Sequence, residues 1–376
     1  MRVSCLQENL SRGLAVVGRA VATRTTLPIT NNVLLSTEGG RLKLVATNLE
    51  IAISCWVGAQ VEEEGTITVP ARLLNDFVSS LPGERIDMTL SPRTRALELK
   101  CARFEAHISG MDAADFPPIP QVSEGVGVSL DPASLHRAIS QVVFAAATEE
   151  SRPVLTGVQA EFQESTLTLA AADGFRLAVH KLGLSQAVES MAVIIPARSL
   201  SELGRLLGEQ EEPVEMTINP QRSQVLFRLK NAEMVSQLIQ GTFPNYSQLI
   251  PQSYDTRAVV SLNEFLRATR SASIFARDGS GIVRLMMTPG EEAGPGKLAI
   301  SARAEEVGDN VGEIDAQIDG EAAKIAFNSK YLSDVLGVLA DEKVAIETTT
   351  PSSPGVVRPV GQENYVHVVM PMFVQW

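Results

Sequence analysis

The residues best able to do chemistry in this chain are three cysteines and four histidines. Cys5, Cys55 and Cys101 stand far apart with no CxxC pair, so neither a zinc knuckle nor a disulfide framework is implied. His107, His136, His180 and His367 share no metal-ligand spacing, and a lone histidine is ordinarily a satisfied or solvated residue. The stretch GPGK (294–297) runs into Leu298 and lacks the earlier glycine of a phosphate loop; GSG (279–281) is not a nucleophile elbow. Carboxylates are abundant, yet none pairs a nucleophile with a base. These types and spacings imply no catalytic residues, no metal site and no cofactor.

What remains is charge. The chain carries 32 basic and 44 acidic residues, a net of −12, which speaks against a phosphate-rich partner if the charge is evenly spread. Testing that requires the elements on which the arginines sit.

Those elements are written three times. TVPARLLNDFVSSL (68–81) returns as IIPARSLSELGRLL (194–207) and AFNSKYLSDVLGVL (326–339). VSCLQENLSRGL, VSLDPASLHRAI and VSLNEFLRATRS open at Val3, Val128 and Val260. RLKLVATNLEIAI (41–53), TLTLAAADGFRLAV (166–179) and KLAISARAEEVG (297–308) fall between them in each unit. Each unit therefore reads as a short strand, a helix, alternating strands, a second helix and further strands. Asp131-Pro132 and Asn263 mark the starts of first helices, and Pro70, Pro196 and Asn328 the starts of second helices. Leucine spacing gives the second helices one buried face. Alternation in Leu42-Lys43-Leu44-Val45 and Leu167-Thr168-Leu169 has the strand period, as do the runs at 86–90 and 214–218. The expectation is an α+β fold of three repeated domains, 1–121, 127–250 and 256–376, each with two helices on one face of an antiparallel sheet. Proline-rich joints at 115–125 and 243–255 separate them.

On those helices the sign of the charge reverses. Arg12, Arg19, Arg24, Arg137, Arg267, Arg270 and Arg277 on the first helices join Arg72, Arg198, Arg205 and Lys330 on the second. Only Glu264, Asp76, Glu202 and Asp334 oppose them, so the helices carry +7 and the rest of the chain −19. Arginines on solvated helix faces are common, and that is the bland account. The sharper one is a basic helical surface that holds a polyanion without sequence preference.

The bulk figures agree with a globular protein of several domains: 376 residues, 44% hydrophobic and 20% charged. The start MRVSCLQENLSRG lacks a signal peptide's apolar core, and no apolar run has membrane-spanning length, so a cytoplasmic location is expected. The closing VVMPMFVQW (368–376) is unusually apolar. It is either a strand tucked into a core or a surface awaiting a partner.

Together the words TLPITNNVLL (26–35), AADGFRLAV (171–179), GTFPNYSQLIP (241–251) and VVMPM (368–372) make the chain resemble the bacterial sliding clamp, the beta subunit of DNA polymerase III. The resemblance runs from end to end. It implies a non-enzymatic processivity factor: a head-to-tail homodimer whose helices line a hole around duplex DNA and whose sheets form the rim. By position Arg24 and Arg152 match DNA contacts, although Pro153 stands where the family can carry an aromatic. Arg72, Arg198 and Arg205 join them as candidates on the second helices. Ile108, Ile274 and Phe275 match the subunit joint, where Leu73 replaces a lysine. Leu155, Gly174, Phe175, Arg176, Leu177, Pro244, Leu249, Val369, Met370, Pro371 and Met372 match a cleft that takes short linear peptides. Through it the polymerase, the clamp loader and repair proteins dock. Ala172 for threonine and Phe175 for histidine make this cleft more apolar than usual, while Phe373-Val374-Gln375-Trp376 departs from the family's Arg-Leu ending.

Two rivals remain at this level. A protein-binding scaffold with no DNA role would lack the positive helix face, and a hydrolase or transferase would show clustered carboxylates or a His–nucleophile pair.

Overall fold

The repeated words become the same local structure each time. In the computed structural model, which describes all residues except 24, 92, 278–279, 292–293, 305 and 307, six helices are α1 (Gln7–Val17), α2 (Ala71–Ser80), α3 (Pro132–Val142), α4 (Ala197–Leu206), α5 (Leu262–Arg277) and α6 (Ser329–Val338). Their leucine spacing buries one stripe: Leu74 and Val78 on α2, Leu200 and Leu203 on α4, Leu332, Val335 and Leu336 on α6. Pro132 opens α3 at the first position, where its missing N–H costs nothing. Asn328 caps α6, its Oδ1 accepting from the amides of Lys330 (2.9 Å) and Tyr331 (3.4 Å). Asn263, expected to start α5, lies inside its first turn instead. Ser261 takes the cap, Oγ accepting from Glu264 N at 3.5 Å, and Ser261-Leu262-Asn263-Glu264 is a capping-box pattern legible in sequence.

The strands form three antiparallel sheets among the described residues. A five-stranded sheet runs Gln60–Glu63, Arg2–Leu6, Arg85–Ser91, Ala96–Cys101, Phe104–Ser109. An eight-stranded sheet runs Val126–Leu130, Val214–Ile218, Gln224–Arg228, Ala232–Gln237, Ile51–Val57, Arg41–Thr47, Asn32–Glu38, Thr66–Pro70. The ten-stranded sheet begins with Gly157–Ala172, Arg176–Pro196, Tyr365–Val369, Gly355–Pro359 and Lys343–Thr348. It continues through Thr256–Ser261, Gly308–Gly320, Gly296–Ala304 and Ile282–Thr288 to end on Ala323–Asn328.

The larger sheets cross the boundaries between sequence repeats. The last strand of the second repeat pairs with the first repeat, Ser236 opposite Ile51 and Ala232 opposite Cys55, and Gln237 N donates to Glu50 O at 2.9 Å. The last strand of the third pairs with the second in the same way, Val369 opposite Arg176 and Tyr365 opposite His180, with Met370 N donating to Phe175 O at 2.8 Å. By packing, the chain groups into two compact units, Met1–Ala133 with Glu202–Leu238, and Ser134–Ser201 with Ile239–Trp376. Adjacent repeats share a sheet, so the sequence period and the compact unit do not coincide.

Among the strand edges that lack a neighbour in the described residues, two stand at positions equivalent to the joints between repeats. One is the outer side of Phe104–Ser109. The other is the first part of Gly308–Gly320, where 308–316 pairs only with Gly296–Ala304 while the later residues 317–320 pair with Thr256–Val259.

Candidate functional site

The turn Asp173-Gly174-Phe175-Arg176 organises the second unit. Asp173 Oδ1 accepts from the amides of Phe175 (2.9 Å) and Arg176 (3.0 Å), which folds the chain back sharply. Gly174 sits at φ 94°, a conformation glycine takes without strain, and a Cβ there would meet Arg152 Nη1 at 3.1 Å. The same turn in the first repeat, Asn48-Leu49-Glu50, places Leu49 at φ 77°. Repeat equivalence therefore includes the backbone conformation.

Arg176 is buried and fully engaged. Its Nε donates to Asp173 Oδ2 (3.0 Å), Nη1 to Asp334 Oδ2 (2.6 Å) and Nη2 to Phe144 O (2.8 Å). The guanidinium lies over the rings of Tyr331 (4.4 Å) and Phe144 (5.3 Å). Two carboxylates and two aromatic faces offset the cost of burying the charge. Phe175, 58% exposed, stacks on Tyr331 at 6.4 Å, and Phe144 stacks on His367 at 5.4 Å. Burial, then the charge of Arg176, pushes the His367 imidazole down to about 3, so it is neutral near pH 7.

The predicted cleft residues divide into a floor and a rim. Leu155, Arg176, Leu177 and Val369 are buried. Leu155 packs with Ile194 and Phe243, Leu177 with Ala170, Val179, Val356, Val366 and Val368; Ala172 and Tyr246 contact both groups and make one floor. Burial and the neighbouring Glu161 carboxylate raise the Tyr246 phenol to about 12. Gly174, Phe175, Pro244, Leu249, Met370 and Met372 are exposed, and Pro371 is half-buried. Leu249 N donates to Tyr246 O (2.9 Å), tying the exposed Leu249 to the floor. Exposed methionines, a leucine and an aromatic are side chains of the kind that make an adaptable apolar surface suited to several partners. Sequence reasoning did not name Phe144, Asp173, Tyr331 or Asp334 as site residues; Asp173 at least stood inside the quoted AADGFRLAV.

The DNA candidates have different surroundings. Arg24 lies outside the described residues. Arg72, Arg198 and Arg205 are exposed on α2 and α4; Arg72 lies 3.7 Å from Asp76, Arg205 pairs with Glu202, and Arg198 has no carboxylate partner among the described residues. Arg152 sits at the 173–176 turn, Nη2 donating to Asp173 O at 3.1 Å. Of the joint residues, Ile274 is 59% exposed on α5 and Phe275 is half-buried, whereas Ile108 is 3% exposed and part of its own unit's core. Phe104 and Val311, large exposed apolar residues on the edges at Phe104–Ser109 and at 308–316, went unnamed in the sequence reading.

A Glu98, Glu105, His107 trio could be mistaken for a metal site. Lys100 Nζ lies 2.5 Å from Glu98 and 3.7 Å from Glu105, so an ammonium already serves both carboxylates.

Three sheet-sharing α+β repeats, with exposed arginines on their helices and exposed apolar side chains beside the closing strand, define a clamp-type protein. Profiles of the N-terminal, central and C-terminal domains of the DNA polymerase III beta subunit match residues 1–120, 129–245 and 247–373. The beta sliding clamp of Synechococcus elongatus is 32% identical over 376 residues, covering 99% of each chain. That of Staphylococcus aureus is 31% identical over 363 residues, or 94% of each. Among solved structures, the Bacillus subtilis DNA polymerase sliding clamp matches over the full length of both chains with a TM-score of 0.93 and 30% identity. The Pseudomonas aeruginosa sliding clamp bound to griselimycin matches equally completely, with a TM-score of 0.90 and 30% identity. The chain belongs to the DNA polymerase III beta subunit family, the bacterial sliding clamps. It is a DNA sliding clamp, a processivity subunit without catalytic activity of its own.

Proposed function

We propose that two copies of the chain close head to tail into a ring around duplex DNA, with 1–121, 127–250 and 256–376 acting as its repeating domains. The observation that carries this is the sheet joint between repeats. Within the chain it forms twice, at Ser236–Ile51 and at Val369–Arg176. Each half of a third joint is left over: the edge strand Phe104–Ser109 and the edge at 308–316. A second copy supplies the missing partner for both, giving a twofold assembly with both edges covered.

Repeat equivalence sets the register. Ser236 and Val369 each precede by three residues the residue that bonds back to the strand before the second helix, Ile239 or Met372; Ile108 stands in the same relation to Met111. Arg303 pairs with Asp309 as Thr47 pairs with Ala52, so Gly308 stands where Ile51 and Arg176 do. Ile108 then faces the partner chain's backbone at 308, and Ala106 faces 310.

Within the ring, exposed arginines such as Arg72, Arg198, Arg205, Arg267 and Arg270 face the DNA phosphates, loosely and without reading bases. Arg24 belongs to this set by family position. The cleft takes leucine- and aromatic-bearing peptides of the replicative polymerase, the clamp loader and repair proteins, and the ring works in the cytoplasm. Tested on nicked circular DNA after loading, the protein should co-elute with the circle and be lost when a restriction enzyme linearises it. Equal retention on linear and circular DNA would overturn the ring reading.

A further inference from the structure

The segment Phe373–Trp376 has no counterpart in the expectations drawn from the family, but it has counterparts inside the chain. In each repeat one residue after the last strand bonds back to the strand preceding the second helix. Met111 N donates to Thr68 O (2.9 Å), Ile239 N to Ile194 O (2.9 Å) and Met372 N to Ala326 O (2.8 Å). An aromatic follows each of them by four or five residues: Phe116, Phe243 and Trp376. Phe116 is buried against Ile29 and Val45, and Phe243 against Leu155 and Ile194. Trp376 is 44% exposed, and its ring carries Lys324 Nζ at 5.0 Å from the centroid. Lys324 lies on Ala323–Asn328, the outermost strand of the ten-stranded sheet.

The stretch Met370–Met372 is therefore held at both ends, by Phe175 O on one side and Ala326 O on the other. Beyond the second bond, the described contact fixing the chain to the edge strand is Trp376 on Lys324. Phe373, 89% exposed, adds no anchor of its own.

We propose that Trp376 is a positioning residue for the cleft: seated on Lys324, it pins the Met370–Met372 wall against the edge strand and keeps both methionines set for a peptide. This makes Phe373–Trp376 a support of the cleft and not a competitor for it. The inference rests on the cleft reading above.

The probe is a fluorescein-labelled peptide, Ala-Leu-Ala-Leu-Phe-amide, titrated by anisotropy into the full chain. Trp376→Ala and Lys324→Ala should each weaken binding about two- to fivefold, as expected for losing one solvent-exposed cation–π contact. The double variant should be no weaker than either single one, because both remove the same contact. Trp376→Phe, which keeps a ring, should restore most of the affinity, and light scattering should report an unchanged oligomer for all four. Wild-type affinity or tighter binding in Trp376→Ala overturns the inference alone. No binding of the peptide by the unaltered chain overturns the cleft reading and this inference with it.

Discussion

Replacing Ile274 with alanine separates the two roles an apolar residue can have in this molecule. Ile274 is 59% exposed on α5 in the single chain, so its removal leaves little cavity in the fold. If a partner covers it, truncation forfeits part of the 1.5–3 kcal/mol that a fully buried aliphatic side chain contributes, roughly 1.5 kcal/mol per joint. A twofold ring has two such joints, so dimerisation should weaken by about 3 kcal/mol, or roughly a hundredfold in Kd. Sedimentation velocity across a dilution series reads this directly: the dimer–monomer midpoint should move up about two decades in concentration while the melting temperature of the monomer stays put. Ile108→Ala is the control. At 3% exposure Ile108 is core, and cavity formation there should cost about 2–4 kcal/mol of fold stability in the monomer itself. If Ile274→Ala left the dilution curve unchanged, or lowered monomer stability as Ile108→Ala does, the placement of α5 at the joint would be wrong.

Three further outcomes follow from the geometry. The double variant Ala106→Cys, Asn310→Cys should oxidise to a covalent dimer, because the inferred register sets these positions opposite one another across the joint at a spacing a disulfide spans; shifting one cysteine to position 309 should abolish the crosslink on denaturing gels. Arg176→Ala leaves Asp173 and Asp334 without their buried cation, so unfolding in urea should show a loss of about 3–5 kcal/mol, and peptide binding should fall with it. Burial holds His180 down to about 4 and His367 to about 3, against 6.5 for a free imidazole. As pH falls below 6.5 the unfolded chain takes up protons first, so His180 withdraws about 3 kcal/mol of stability by roughly pH 4 and His367 about 5 kcal/mol by roughly pH 3. His367→Leu should flatten that slope in pH-dependent melts, and since neither ring nitrogen of His367 has a partner among the described residues, the change should cost little at neutral pH.

Local features were legible in the sequence. Pro132 and Asn328 announced helix starts through one donor and one acceptor, and the leucines of α2, α4 and α6 announced their buried faces by spacing alone. What could not be read was which distant strands meet. Nothing in Ala232–Gln237 names Ile51–Val57 as its neighbour, because a half-buried strand of alternating character fits many edges equally. The site shows the same division. The words DGFRL, FPNY and MPM marked the candidate cleft residues, but only the fold reveals that Arg176 finds its second carboxylate, Asp334, 158 residues away on α6. Leu155 and Leu177, which sequence could not separate from ordinary core residues, are buried in two hydrophobic clusters that share Ala172 and Tyr246. Arg152 was legible as a cation and not as a neighbour: its guanidinium lies over Gly174.

The most direct measurement of the central claim uses the crosslinked ring. After loading onto closed circular DNA and oxidation of the Ala106→Cys, Asn310→Cys pair, the protein should stay on the circle through a high-salt wash that strips phosphate contacts, and leave when the DNA is cut. Loss from the intact circle in high salt despite a complete crosslink, or retention on the cut DNA, would contradict a chain that holds DNA by encircling it.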